Sequence, residues 1–390
     1  MNISAQHVCA GRRDAPSALL TAAVDWTGDD PLPEIRAAFG EAPLALVSLF
    51  VTPRADFPAI MAAAARAFPG AKVTGCTTAG EIGPRGYVED TIVAIGYPAA
   101  DFAAETLLIA PLDPLDGQDA IDRVIRARID LIERYPTFTG HFAFLLVDGM
   151  SRSEDVLAGT LAHATGGWPL FGGSAGDGVD FGRTYVSAGG QVFENAAVLS
   201  LVRTRHRVQV FSIDHLEPTE QRMVVTRADP AERIVKEINA APAAREYARM
   251  VGKNPDELDR FTFASHPVAV RIGDSHHVRA IQQVNAEGEL IFFAAIDEGM
   301  VLRVAHTRDI ARHLDGALDE LGLGGAPSDI LACDCILRRL EAEQTQKARD
   351  LSDVLARHRV RGFSTYGEQF GALHVNQTMT GVALYPAEVP

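Results

Sequence analysis

Cysteine is scarce in this 390-residue chain, with four residues at Cys9, Cys76, Cys333 and Cys335. That number and scatter exclude a disulfide framework and fit a reducing compartment. Cys333-Asp334-Cys335 leaves one residue between its sulfurs and no second pair completes a zinc site, while the absence of Cys-x-x-Cys-His excludes covalent haem attachment. The chain also lacks the roughly 18 to 20 consecutive apolar residues of a membrane span and a basic-then-apolar secretory start. Positive charge is short as well: 36 Lys and Arg stand against 51 Asp and Glu, a net charge of -15. Such a surface repels phosphate backbones and anionic lipid. These absences together point to a cytoplasmic protein with no nucleic-acid partner and no membrane partner.

What is present is repetition. Three apolar runs, 45–51, 142–147 and 329–333, read as buried strands, each followed by a helical segment and then a glycine-rich element. The elements are Gly75-Cys76-Thr77-Thr78-Ala79-Gly80-Glu81, Phe171-Gly172-Gly173-Ser174-Ala175-Gly176-Asp177 and Gly362-Phe363-Ser364-Thr365-Tyr366-Gly367-Glu368. From the acid onward the last repeat aligns with the first without a gap, Glu81 with Glu368, Tyr87 with His374 and Thr91 with Thr378. The fold expected is α/β: two modules with mixed β-sheets flanked by helices, built from repeated strand-helix-strand units. Around these units the patterns predict a helical stretch near 18–25, a helix capped by Thr52-Pro53, and a helix at 117–134. A capping box over Ser151 to Glu154 would open another helix, and Asp229-Pro230 a helical insertion. Period-two segments at 208–213, 268–272 and 290–294 read as one antiparallel meander, followed by a helix over 308–321.

Glycine turns that end in an acid can present backbone N–H groups to an anion. Gly80, Glu81, Gly176, Asp177, Gly367 and Glu368 are therefore ligand-turn candidates, although a glycine turn also serves simply for close strand approach. None matches a phosphate-binding fingerprint. Cys76 and Ser174 stand in elbow-like positions without the Gly-x-Ser-x-Gly spacing, so the reading is not an enzyme. Histidines concentrate between His266 and His313, where His276, His277 and His306 border the apolar 290–295 segment.

The three glycine motifs, with His374-Val375-Asn376-Gln377-Thr378 near the end, resemble the FIST family of sensory modules. This implies a leader over 1–28, an N-terminal FIST module over 29–204 and a C-terminal FIST module over 205–390. The run Gly80-Glu81-Ile82-Gly83-Pro84-x-Gly86-Tyr87 looks like the NosP group, whose members bind haem and sense nitric oxide. That resemblance implies haem b held non-covalently, nitric oxide as ligand, and a histidine kinase or cyclic-di-GMP enzyme as partner; homo-oligomerisation is left open. No family ligand maps to one position. His276, His277 and His306 are the candidate iron ligands, one or two of them at most, and Arg279 or Arg271 would face a propionate. His374 is set aside because its motif is general to FIST modules. The alternatives are a FIST sensor for a small organic ligand such as an amino acid or carboxylate, its anion on a glycine turn, an enzyme with Cys76 as nucleophile, and a passive scaffold.

Overall fold

The computed structural model describes residues 16–272 and 275–387. The repetition seen in the sequence becomes three copies of one unit. Unit I runs strand Leu20–Asp25, helix Leu32–Phe39, strand Leu44–Val51, helix Phe57–Ala67, strand Lys72–Thr77, a hairpin of Glu81–Gly83 and Gly86–Val88, and strand Thr91–Pro98. Unit II repeats this order from Phe102–Ile109 through the hairpin Val186–Ala188/Gln191–Phe193 to Ala197–Thr204. Unit III opens with His206–Ile213, resumes at helix Ile310–Leu321 after an insertion, and ends with the hairpin Glu368–Phe370/Leu373–Val375 and strand Met379–Ala387.

Each unit contributes four strands to a six-stranded sheet, in the order outer strand, last strand, first core strand, second core strand. The two core strands are parallel, Leu46 opposite Lys72 in unit I and Ile330 opposite Val360 in unit III, so a helix must cross between them. The last two places in each sheet are filled by a hairpin from another unit. Unit II's hairpin pairs with Lys72–Thr77 of unit I, unit III's with Leu170–Ser174 of unit II, and unit I's with Val360–Thr365 of unit III. The exchange is cyclic, so no sheet is complete without a second unit. Phe50, Phe144 and Phe363, one from each unit, meet at the centre, with Phe50 and Phe363 stacked at 4.5 Å between ring centroids.

An eight-stranded antiparallel sheet occupies the insertion between His206–Ile213 and Ile310–Leu321. Its core gathers Met223, Val235, Tyr247, Phe263, Leu290 and Leu302, separate from the cores of the units.

Several local expectations change. The stretch near 18–25 is a strand, because Leu20 to Asp25 finds the edge of Thr91–Pro98 and tertiary pairing overrides its alanine-rich helical propensity. Helix Phe57–Ala67 is capped by Asp56, whose carboxylate accepts from the Ala59 N–H at 3.1 Å, not by Thr52. Ser153 precedes helix Glu154–Ala164 but its hydroxyl donates to the Ser151 carbonyl, so no capping box forms. Asp229-Pro230 closes a hairpin between Leu216–Asp229 and Ile234–Ile238 instead of starting a helix. Residues 208–213 leave the expected meander and pair with Met379–Ala387 in unit III. Among the described residues no helix is long and apolar enough to cross a membrane.

Candidate functional site

The three glycine turns meet around the axis of the cyclic exchange and bond to one another. The N–H groups of Ala79, Gly176 and Tyr366 donate to the carbonyls of Ser364, Thr77 and Ser174, while those of Ser364, Ser174 and Thr77 donate to Gly80, Gly367 and Tyr185. These six backbone donors are thus already used within the hub. Glu81 accepts from the Thr78 hydroxyl and the Thr91 N–H, and burial pushes its carboxyl up to about 7. Glu368 accepts from the hydroxyls of Thr365 and Thr378, and burial pushes it up to about 8. Unit II carries Val186 at the matching sheet position, opposite Cys76, and Asp148 takes over the bonding by accepting from the Asn195 N–H at 2.5 Å and the Thr184 hydroxyl. One or two residues before each last strand the backbone is left-handed, at Asp90, Asn195 and Gln377 with φ 52°, 47° and 50°. Glu81 and Glu368 are therefore pins that fasten each hairpin to its own unit. Asp177 is tied to the N–H groups of Gly182 and Arg183 and to the Tyr366 hydroxyl.

The histidines singled out in the sequence are not drawn together. His276 and His277 are consecutive on strand Ser275–Val278, opposite Arg271 and Val270, so they address opposite faces of the inserted sheet. His306 is exposed on strand Val301–Thr307, opposite Glu217. None of the three lines any of the four clefts, of about 400 to 810 Å³, found at the surface. A haem needs one imidazole nitrogen aimed into a cavity that holds the macrocycle; of the three, His276 has a buried Nε2 without a partner. Cys76 is fully buried and burial pushes its thiol up, away from a reactive thiolate.

Arg279, by contrast, turns inward and reaches the Gly367 turn. Its Nη1 donates to the His374 carbonyl at 3.2 Å, its closest carboxylate is Asp155 at 3.9 Å, and its Nε has no partner. His374 is 2% exposed; Gln369 donates through Nε2 to Ser174 Oγ at 3.1 Å and contacts His374 Nδ1 at 3.2 Å. Burial lowers the His374 pKa, so the ring is neutral, and with Nδ1 accepting, the proton sits on Nε2, which has no partner. Asn376 Oδ1 accepts from the Ala280 N–H at 3.3 Å, and its buried Nδ2 is likewise unpartnered. The His374 ring and Asn376 occupy the place where a Cβ on Gly367 would stand, with Nε2 and Nδ2 each 2.8 Å from it, so only glycine lets both side chains pack against this crevice. Gln369 Oε1 is also buried without a partner.

Charge and strain surround the crevice. Arg233 holds Glu154 at 2.6 Å and donates to the Phe293 carbonyl, while Asp155 accepts from the Ala295 N–H at 3.0 Å. Arg152, Phe181 and Arg233, on the three segments bordering the site, have left-handed backbone at φ 55°, 51° and 56°. Such outliers in bulky residues collect where surrounding structure enforces a functional geometry. Glu154, read as a capping residue, is recruited by Arg233, 79 positions away, which local pattern cannot reveal. The one legible signal was His374 standing where the first repeat has Tyr87.

Comparison with known proteins bears on the whole chain. The FIST N domain family model matches residues 45–241, and the FIST C domain model matches residues 243–371. No curated protein matches the chain. FIST domains are sensory domains of signal transduction, and this three-unit hub with its inserted sheet is a member of the FIST family.

Proposed function

We propose that the protein senses a small organic ligand bearing a carboxylate, bound at the Gly367 turn between unit II, unit III and the inserted sheet. One observation carries this reading: three buried donors, His374 Nε2–H, Asn376 Nδ2–H and Arg279 Nε–H, have no acceptor. A buried unpaired donor costs about 1–3 kcal/mol, more when charged, and an incoming carboxylate would supply the acceptor that is missing. The site joins segments of three bodies, α-helical Glu154–Ala164, the hairpin Glu368–Phe370/Leu373–Val375 and the strands around Arg279. A ligand there has differential affinity for docked and undocked arrangements of the inserted sheet, which is what a sensor requires. The output partner proposed is a histidine kinase or cyclic-di-GMP enzyme that reads the docking of that sheet.

The test is thermal denaturation with a panel of small carboxylates, amino acids included, alongside their amides. The midpoint rises with a carboxylate, stays unchanged with the matched amide, and the rise disappears in Arg279→Ala. Equal shifts from acids and amides, or no shift from any acid, overturn the reading. The resemblance to the NosP group offers a competing proposal, haem b and nitric oxide, with a direct measurement: the absorption spectrum of protein from haem-supplemented cells. A colourless protein that also declines added haemin is the expected result, and a stoichiometric Soret band shifted by nitric oxide would replace the carboxylate proposal with the gas-sensing one.

A further inference from the structure

Three aromatic rings stand against the Gly367 turn. Phe181 and Tyr366 have centroids 4.7 Å apart, Phe181 and Phe293 5.4 Å, and Phe293 and Tyr366 6.1 Å. Two of them are tied through backbone to the crevice. Tyr366 immediately precedes Gly367, the Phe293 N–H donates to the Ala280 carbonyl at 3.0 Å, and the Ala280 N–H in turn donates to Asn376 Oδ1. Phe293 and Tyr366 are buried, whereas Phe181 keeps part of its surface exposed.

Phe181 comes from a segment that the other units lack. Units I and III pass directly from the glycine to the first hairpin strand, Gly80 to Glu81 and Gly367 to Glu368, while unit II inserts residues 177–185 between Gly176 and Val186. The inserted loop is bound tightly to the site. The Tyr366 hydroxyl accepts from the N–H groups of Asp177 at 3.1 Å and Phe181 at 3.4 Å, and Asp177 Oδ2 accepts from Gly182 and Arg183 at 2.8 and 2.7 Å. At its tip Phe181 has φ 51°, a conformation that bulky residues rarely hold and that a glycine would adopt freely. A loop built only to connect strands would place glycine there. Instead the strain is retained with a large ring directed at Tyr366 and Phe293.

We infer that the ligand's carboxylate is attached to a flat, apolar body that covers the free face of Phe181, and that Phe181 is the residue that selects it. This rests on the carboxylate reading above. The donors at Gly367 fix the acid end, and the trio provides an apolar wall one residue away, so acid and ring are recognised by separate groups. Aromatic contacts of this kind add to area burial because offset and edge-on rings attract one another.

The experiment is calorimetric titration of the full chain with acetate, succinate, cyclohexylacetate and phenylacetate, on wild type, Phe181→Ala, Phe181→Gly and Arg279→Ala. Phenylacetate binds at least about tenfold tighter than acetate, as aromatic contacts of this size allow. Phe181→Ala and Phe181→Gly bring that ratio to within about threefold with acetate affinity unchanged, and Phe181→Gly, which releases the left-handed strain, unfolds no earlier than wild type. Arg279→Ala loses all four ligands. Acetate binding that depends on Arg279 with no preference for phenylacetate, or a loss in both Phe181 variants that is equal for every ligand, overturns the selective role while leaving the carboxylate reading intact. Absence of binding by every acid overturns both.

Discussion

Two interfaces in this molecule share one backbone plan and differ in how their polar groups are satisfied. Unit I's hairpin docks on unit III with Tyr87 opposite Ile82, and unit III's hairpin docks on unit II with His374 opposite Gln369. At the first, the Tyr87 hydroxyl reaches Asp334, which holds Arg338 at 2.7 Å, whose Nη1 contacts His215 Nδ1 at 2.8 Å, and His215 Nε2 lies 2.8 Å from Glu341. The crevice beside Gly80 is filled by the Arg339 guanidinium, bound to Glu89 at 2.7 Å and to the Val88 carbonyl. At the second, the strand position of Asp334, paired to Ser364, is occupied by Val147, paired to Ser174. His374 consequently has no acid to meet, and its crevice keeps unpaired donors. The difference teaches that a repeated scaffold can satisfy the polar groups of one copy with its own side chains and leave those of another unpaired.

The largest effect expected is at the closed interface. Asp334→Ala leaves the fully buried Arg338 without its carboxylate, and breaking a buried pair in this way costs about 3–5 kcal/mol. Arg279→Ala at the open interface costs about 1–2 kcal/mol in stability, since among the described residues no carboxylate lies closer than 3.9 Å, yet abolishes carboxylate binding. Urea denaturation of both variants measures this, and equal losses would erase the distinction between the interfaces.

The hairpin pins come next. Glu81 and Glu368 have folded pKa values of about 7 and about 8, above the ordinary 4.5, because burial disfavours the charged form. The folded state therefore holds protons that the unfolded chain has released, so this contribution is full below about 4.5 and is lost as pH rises to about 7 to 8. The contribution of each pin should fall by a few kcal/mol over its window, since a buried carboxyl that stays protonated while its unfolded counterpart ionises loses about 1.4 kcal/mol for every pH step of one. Glu368→Gln should flatten the fall that extends to about 8, and Glu81→Gln the part that ends near 7; profiles unchanged in both variants would show that the pins are charged throughout.

Smaller still, Tyr87→Phe leaves an Asp334 oxygen unpaired and costs about 1–3 kcal/mol. His374→Phe removes only the contact with Gln369 and costs about 1 kcal/mol or less, so a larger loss for His374 than for Tyr87 would invert the comparison. The least is expected from Arg339→Ala, about 1 kcal/mol by equilibrium denaturation, because its partner Glu89 is largely exposed. That variant also opens the Gly80 crevice, and added methylguanidine should restore part of the loss if the crevice recognises a planar cation.

The core strands were legible because Leu44–Val51, Gly140–Val147 and Asp329–Cys335 are buried on both faces and therefore apolar without alternation. The helix at 117–134 was legible to the residue, since Asp116 caps it and Tyr135 ends it. The hairpins were hard to read: each strand has three residues, and Glu368 pairs with Gly173, 195 positions earlier, a contact that no local pattern records. Arg279 drew notice among the histidines for an expected propionate, and its position beside His374 is a product of folding. Ser151 and Glu154 satisfied a capping rule that the structure overrides, because an ion pair with Arg233 outweighs a surface cap.

Composition and periodicity were sufficient for the repeated α/β units, the order of strand, helix and glycine turn, and the equivalence of Glu81 with Glu368, since these follow from burial and backbone conformation acting over a few residues. Which hairpin completes which sheet, which glycine turn is plugged and which keeps free donors, and where Arg233, Arg279, Phe181 and Phe293 converge came only from the tertiary structure. Those relations depend on side chains brought together across tens to hundreds of positions, where the sequence carries no distance and packing alone decides which polar groups find partners.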